Sequence, residues 1–193
     1  MTLNDELVAQ LGDSGLEQIA GMLGTDAITA TTVLQAVSGT IVGGMARNAR
    51  HLDGADALRS ALDDHKDTDP FNGDVASLTR DGHNILGHVL GGQGTEQAAT
   101  ELARFAGVDT GTIMKLLPLV APMIMSLLAD RDMDPTTMAE DLDREQTAMA
   151  GGLGDVLGRL LTGIFGVVPE QGVPYRPYET KPQVTRGTSN SDW

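Results

Sequence analysis

Apolar residues recur at helical spacing along most of the chain, and one such stripe occurs twice. Residues 24–48 align without a gap on residues 107–131, so that each position of the second segment is numbered 83 higher. Steps of three and four residues between apolar positions are typical of an amphipathic helix. The two matching stripes are Ala30, Val33, Leu34, Val37, Ile41 and Met45, and Ile113, Leu116, Leu117, Val120, Ile124 and Leu128.

Each stripe is preceded by Gly-x-Asp, a pattern that predicts a turn followed by an aspartate N-cap. After a slip of three residues the match resumes, because Leu58, Leu62 and Asp63 align with Met138, Leu142 and Asp143. The sequence therefore predicts an internal duplication of a long helix and a shorter one, with copies at about 16–65 and 99–145. We expect the long helices to pack on each other about a pseudo-two-fold axis.

Every regular segment that the pattern predicts is helical, and no alternating run of strand length occurs. An amphipathic segment covers 3–23 with a break at Gly12 and Gly15, and a helix is expected to begin at Asp81 and to stop at Gly91. We predict an all-α single domain over 1–166. Residues 167–193 contain four of the eight prolines and no apolar periodicity, which predicts a disordered tail.

The two long helices differ in the residues that affect helix geometry. The first contains Gly39 and Gly43, whose spacing of four predicts a flat strip against which another helix rests. The second contains Pro118 and Pro122, and we expect these prolines to kink or split it, with a new helical turn starting at Pro118.

The segment 151–166 predicts an amphipathic helix weakened by glycines. Such a helix needs a surface on which to form. That surface belongs either to its own domain or to a protein partner, including a second copy of the chain. The candidate interaction residues are the apolar stripe of this helix: Leu153, Val156, Leu157, Leu160, Leu161 and Ile164.

Charge and composition narrow the function classes. The 27 acidic residues outnumber the 13 basic ones, and the net charge of -14 would repel phosphate backbones, so we expect no nucleic-acid partner. The chain has no cysteine and its first residues are acidic, which points to a cytoplasmic protein without disulfides or a signal peptide. The apolar run 113–129 is interrupted by Lys115, two prolines and Ser126, so we predict no transmembrane segment.

No motif for a metal, a cofactor or catalysis has the required spacing. A calcium-like loop begins at Asp67, but its glycine stands seventh and Leu78 takes the place of the bidentate glutamate. His83 and His88 are five residues apart, which puts them on different sides of a helix. Gly-x-Ser-x-Gly and phosphate-binding loop motifs are missing from the sequence. We therefore predict no cofactor and no catalytic residue.

A family resemblance lies in three pieces of the chain: residues 81–92 with Ile-Leu-Gly-His, the Gly-Val-Asp at 107–109, and residues 116–125 with Leu-Leu-Pro-Leu-Val-Ala-Pro. In these pieces the chain resembles the YidB-like family of bacterial domains of unknown function, over roughly residues 5–166. The resemblance implies a small all-α bacterial domain, and it supplies no catalytic residues.

The leading functional hypothesis is a non-enzymatic protein-interaction or self-assembly module, a homo-oligomer or a protein complex formed through the C-terminal helix. One alternative is that the stripe only packs on its own domain. Another is a small apolar or lipid ligand held between the long helices, in a gap between Pro118 and Pro122 on one side and the glycine strip on the other. An enzyme that uses paired acids from 53–81 is the least favoured hypothesis.

Overall fold

The computed structural model describes residues 1–67, 69–71 and 74–165, without the side chains of 150–154, 156 and 165. All regular elements within this part of the chain are helices, which confirms the all-α fold class. The predicted tail at 167–193 lies outside the described residues. The seven helices are α1 (Leu3–Leu23), α2 (Ala27–Ala49), α3 (Leu52–His65), α4 (Val75–Val89), α5 (Gly92–Ala106), α6 (Thr110–Asp130) and α7 (Pro135–Phe165).

The predicted turns and caps are present before both long helices. Gly24 and Gly107 end α1 and α5 in the left-handed conformation, with φ of 67° and 68°. Asp26 then accepts a hydrogen bond from the backbone N–H of Thr29, and Asp109 caps α6 through the N–H of Thr112. A glycine suits the left-handed turn because it has no Cβ to clash. The duplication itself stays a prediction.

The two long helices form the buried centre of the fold, but their main neighbours are other helices. Helix α2 packs chiefly on α7 and α1, whereas α6 packs chiefly on α4 and α5. The contact between α2 and α6 is smaller than any of these. The long helices thus contact each other, as predicted, but other helices cover most of each one, and the pseudo-two-fold axis stays a prediction.

Helix α6 is continuous, so the predicted split at Pro118 is wrong, while the alternative of a kink stays a prediction. Both prolines lie within the helix and are buried. A proline in a helix interior removes one backbone hydrogen bond and is costly in isolation. Here helices pack on several sides of α6 and its apolar residues are buried along its length, so tertiary packing keeps the two halves together.

Two other predicted boundaries are wrong as well. Helix α4 begins at Val75, where Asp74 accepts a hydrogen bond from the N–H of Ser77, so Asp81 lies inside the helix. The predicted short helix near 135–145 and the Gly/Leu helix at 151–166 form one helix, α7. The break in α1 is confirmed at Gly12, which has φ 61° and ψ -176°.

Two helices are long and apolar enough to cross a bilayer by length and composition alone: α2 and α6. The sequence pattern indicated only α6 as a candidate span. Their most apolar windows are 72% and 67% buried inside the domain, as is usual for core helices of globular proteins. This property is thus weak evidence for a membrane span, and the absence of one stays a prediction.

A partly buried ionic cluster joins the end of α6 to α1 and α7. The Arg131 guanidinium donates hydrogen bonds to Glu6 of α1 and to Asp141 and Glu145 of α7. Glu145 is only 7% exposed, and it also accepts a hydrogen bond from the backbone N–H of Leu3 at 2.8 Å. Charged groups at such burial need paired partners, and this cluster supplies them.

Candidate functional site

The C-terminal part of α7 lies along the glycine strip of α2. A Cβ atom built on Gly39 would lie 2.9 Å from Leu157 Cδ1, and one built on Gly43 would lie 2.8 Å from Leu161 Cδ1. At separations below 3.0 Å the leucine ends would have to shift if a Cβ were added, so in this structure they rest on the bare backbone of α2. The prediction that a helix packs on the strip is confirmed, and that helix is α7.

The apolar stripe of α7 faces its own domain wherever its side chains are described. Leu157 and Leu160 are each 3% exposed, and Leu161 and Ile164 are half-buried. Ile164 also approaches α5, since a Cβ on Gly94 would lie 3.0 Å from its Cγ2. The side chains of Leu153 and Val156 lie outside the description. These four residues therefore pack on their own domain, which was one of the two predicted alternatives. Docking to a partner stays a prediction.

The gap that was expected between the long helices is filled. Leu157 and Leu161 cover Gly39 and Gly43. The carbonyl of Pro118 lies against Gly82 of α4, where a Cβ atom would approach its oxygen to 1.8 Å. The ligand position predicted between the glycine strip and the prolines is therefore wrong, because other helices cover both surfaces.

A groove of about 810 Å³ lies instead between α3 and α4. Both helices pack on α2 and α6, while no comparable packing joins α3 to α4. The floor of the groove contains Met45 of α2 and Met125 of α6, both fully buried. We call this cavity the α3–α4 groove. Its volume falls in the range of small-molecule sites, which is about 300–1,000 Å³.

Three of the four histidines line the α3–α4 groove: His51, His65 and His88. The sequence offered no signal for this grouping, because they come from the start of α3, its end and α4. His83, which the sequence paired with His88, is absent from the groove lining. Among the described residues no group of three or more histidines, aspartates or glutamates is arranged to hold a metal ion.

The hydrogen on the His88 ring can be assigned from its neighbour. His88 Nδ1 lies 2.8 Å from the carbonyl oxygen of Asn84, one turn earlier in α4. A carbonyl oxygen only accepts hydrogen bonds, so Nδ1 carries the hydrogen and donates. In the neutral ring Nε2 is then an acceptor, which suits a hydroxyl or an amide N–H as a binding partner.

Shifted pKa values occur outside this groove, at an ionic contact between α3 and the turn before α7. Hydrogen bonds from Lys66 and then Arg59 lower the pKa of the Asp132 carboxyl. Lys66 Nζ lies 2.7 Å from Asp132 Oδ1, and Arg59 Nη2 lies 2.9 Å from the same oxygen. The contact is exposed, and it joins elements without forming a cleft for chemistry.

The chain is thus an all-α bacterial domain without a recognisable catalytic centre among its described residues. It belongs to the DUF937 family of bacterial proteins of unknown function, whose model matches residues 5–131, and YidB is a member of that family. The family resemblance is confirmed, although the matched region ends with α6 and leaves α7 outside. No curated protein and no solved structure gives a significant match.

Proposed function

We propose that this protein is a non-enzymatic, self-associating interaction module in which α7 packs on the glycine strip of α2 within one copy and between two copies. The observation that carries the proposal is the fit of Leu157 and Leu161 onto Gly39 and Gly43. The strip belongs to the region that the family model matches, and α7 lies beyond it. The matched region therefore presents a surface to which a helix binds.

The C-terminal part of α7 depends on packing for its stability. Burying Leu157 and Leu160 stabilises the packed helix by about 2 kcal/mol per side chain. The segment is preceded by Gly151, Gly152 and Gly154, and each glycine in a helix costs about 1 kcal/mol relative to alanine. The helix thus depends on the strip for its stability, and a strip in a second copy offers the same contacts.

In this proposal the protein acts in the cytoplasm by binding another protein, without catalysing a reaction. A second copy is the favoured partner, because the same chain contains both the strip and the helix that fits it. A cysteine-free sequence also makes the proposal easy to test, since any disulfide formed in an engineered variant comes from the introduced residues.

The test mixes two single variants, Gly43→Cys and Leu161→Cys, under mild oxidation at increasing protein concentration. If α7 exchanges between copies, a disulfide joins the two different variants and a covalent heterodimer appears on a non-reducing gel. Mass spectrometry of the linked peptides identifies the pair. A double variant with both cysteines in one chain is the positive control. Its two cysteines should form a disulfide within the monomer, which would show that the geometry permits the bond.

Thr162→Cys provides the matched control, since Thr162 lies next to Leu161 in sequence but is exposed. Mixed with Gly43→Cys, it should give far less heterodimer than the Leu161 variant. Light scattering of the unmodified protein should show a dimer fraction that rises with concentration. A strict monomer by light scattering, together with monomers only in the mixing experiment, would overturn self-association through this helix.

A further inference from the structure

The α3–α4 groove has an apolar interior built by four helices. Met45, Leu58, Val89 and Met125 contribute to its lining and are buried or nearly so. Met45 and Met125 expose at most 1% of their surface, but methionine side chains are flexible and polarisable, so they can shift to contact an apolar ligand of varied shape. The interior therefore suits a hydrocarbon chain better than a polar metabolite.

Several of the α3 residues that line the groove have small side chains. Gly54, Ala57 and Ala61 lie at helical spacing along the lining. A Cβ on Gly54 would approach the carbonyl oxygen of Asn48 to 2.0 Å, so this glycine lets α3 sit close to the end of α2. Small side chains on the same face leave the groove open along the length of α3, which suits an extended occupant.

Polar side chains stand at the solvent-exposed rim of the groove, where they would contact the polar end of a bound molecule. In the neutral imidazole of His88, Nε2 accepts a hydrogen bond, as argued above from the contact of Nδ1 with Asn84. The charged or titratable residues of the lining are His51, Asp64, His65 and His88. Asp64 and the net charge of -14 disfavour an anionic head group. An uncharged hydroxyl, by contrast, can donate to Nε2.

We propose that the α3–α4 groove binds an uncharged single-chain amphiphile, with its hydrocarbon chain on the methionine floor and its hydroxyl head group at His88. This binding is independent of the helix exchange proposed above, because neither α7 nor the glycine strip lines the groove. The combination of an apolar floor and a hydrogen-bonding rim matches the general composition of small-molecule sites.

The experiment follows the methyl groups of methionine by NMR in the full-length protein, labelled with ¹³C at the methionine methyl. Monodecanoylglycerol, decanoate and decyltrimethylammonium share a ten-carbon chain and differ in head-group charge. They are titrated separately below their micelle concentrations. We expect saturable shifts at Met45 and Met125 and none at Met138 or Met149, which are core residues outside the groove lining. The dissociation constant should be about tenfold lower for the glyceride than for the other two amphiphiles, because neither a carboxylate nor a trimethylammonium group can donate a hydrogen bond to His88 Nε2.

Two groove variants and one control separate the chain from the head group. Ala61→Phe fills the groove and should abolish the shifts at both groove methionines, whereas Ala76→Phe, at an exposed position of α4 outside the lining, should not. His88→Phe keeps an aromatic ring but removes the acceptor, and it should raise the dissociation constant of the glyceride about tenfold while leaving those of the two charged amphiphiles unchanged. Circular dichroism verifies that each variant is folded.

Three results would overturn the proposal. One is the absence of saturable shifts at Met45 and Met125. Another is binding of decanoate or of the cationic amphiphile as tight as that of the glyceride. The third is unchanged binding in folded Ala61→Phe protein. Light scattering on the same samples shows whether dimer formation is affected, so failure of this proposal and failure of self-association are distinguished.

Discussion

At the scale of single residues, Gly82 and Pro122 together make possible the contact between α4 and the Pro118 carbonyl of α6. Pro122 has no backbone N–H, so the carbonyl of Pro118 four residues earlier has no helical donor. Gly82 of α4 lies against that carbonyl, and a Cβ there would come within 1.8 Å of the oxygen. A Cα hydrogen occupies that space instead, in the position of a weak C–H···O contact. The proline frees an acceptor, and the glycine lets α4 approach it.

Gly82→Ala is expected to lower the free energy of unfolding by about 3 kcal/mol. The added methyl group would meet backbone atoms of Pro118, which cannot rotate away as the end of a side chain can. Urea denaturation followed by circular dichroism measures the effect. Gly87→Ala is the matched control in the same helix, since a Cβ there has nothing within 4 Å. This control should stabilise the protein by about 0.5–1 kcal/mol. Equal effects of the two substitutions would contradict the contact.

The role of Gly39 and Gly43 was predictable from sequence, whereas that of Gly82 was not. Two glycines four residues apart inside an apolar stripe indicate a flat helix face, whichever helix covers it. Gly82 stands alone after an aspartate, and the same letters fit a helix start. Only the packing of α4 on α6 distinguishes the two interpretations.

At the scale of elements, the helices were largely predictable and their pairings were not. Helix α2 begins directly after the predicted aspartate cap and contains the whole predicted stripe, because both the cap and the apolar periodicity are local signals. Helix α7 was predicted as two pieces, since its glycines weaken the helix locally. The packing of Leu157 on Gly39 of α2 and the burial of Leu160 stabilise the continuous helix. Periodicity along the chain contains no information about that long-range contact.

The contact between α7 and α2 predicts a favourable coupling between two substitutions. Leu157→Ala alone removes a buried side chain and should cost about 3 kcal/mol. Gly39→Ala alone places a methyl group 2.9 Å from Leu157 Cδ1 and should also destabilise the protein. In the double variant the new methyl enters the space that the leucine leaves. We therefore expect the double variant to be more stable than the sum of the single effects by about 1 kcal/mol.

Urea denaturation of the four proteins gives this coupling energy directly. Gly21→Ala combined with Leu157→Ala is the matched control, because a Cβ on Gly21 has nothing within 4 Å. The effects of that pair should add within about 0.5 kcal/mol. Simple additivity for Gly39 and Leu157 as well would show that α7 does not rest on the strip in solution.

The α3–α4 groove could not have been predicted from the sequence. His51, His65 and His88 come from different helix ends, and their grouping follows only once α3 and α4 are both placed on α2 and α6. From the sequence, the small residues of α3 are as consistent with close packing against another helix as with the side of an open groove. A groove is a space that helices leave between them, and one-dimensional periodicity describes the helices alone.

At the scale of the whole molecule, the Arg131 cluster holds the two ends of the domain together. Arg131→Met should lower the free energy of unfolding by about 2–3 kcal/mol, because it leaves Glu145 buried without its charged partner. Arg104→Met is the control, since the pair formed by Arg104 and Glu101 is exposed and should contribute less than about 0.5 kcal/mol. Denaturant unfolding compares the two. A loss of similar size in both variants would contradict the importance of burial at Arg131.

Acid stability is set in part by four aspartates with lowered pKa values. Backbone N–H groups donate hydrogen bonds that lower the pKa of two of them, Thr2 to Asp5 and Thr29 to Asp26. A hydrogen bond from Lys66 lowers the pKa of Asp132. A hydrogen bond from the hydroxyl of Thr137 lowers the pKa of Asp134. In the unfolded chain these groups titrate near the ordinary value of about 3.9. Below that value the unfolded state binds more protons than the folded state, so stability falls with pH.

These four groups should therefore leave the urea midpoint unchanged between pH 7 and 5, and lower it from about pH 4 downward. Asp132→Asn tests one of them, because asparagine cannot hold the charge that Lys66 and Arg59 stabilise. At pH 7 this variant should be less stable than the unmodified protein. The difference should shrink as the pH falls through the lowered pKa of Asp132, where both proteins are uncharged at this position. A difference that stays constant down to pH 2.5 would show that the carboxylate of Asp132 contributes no pH-dependent stability.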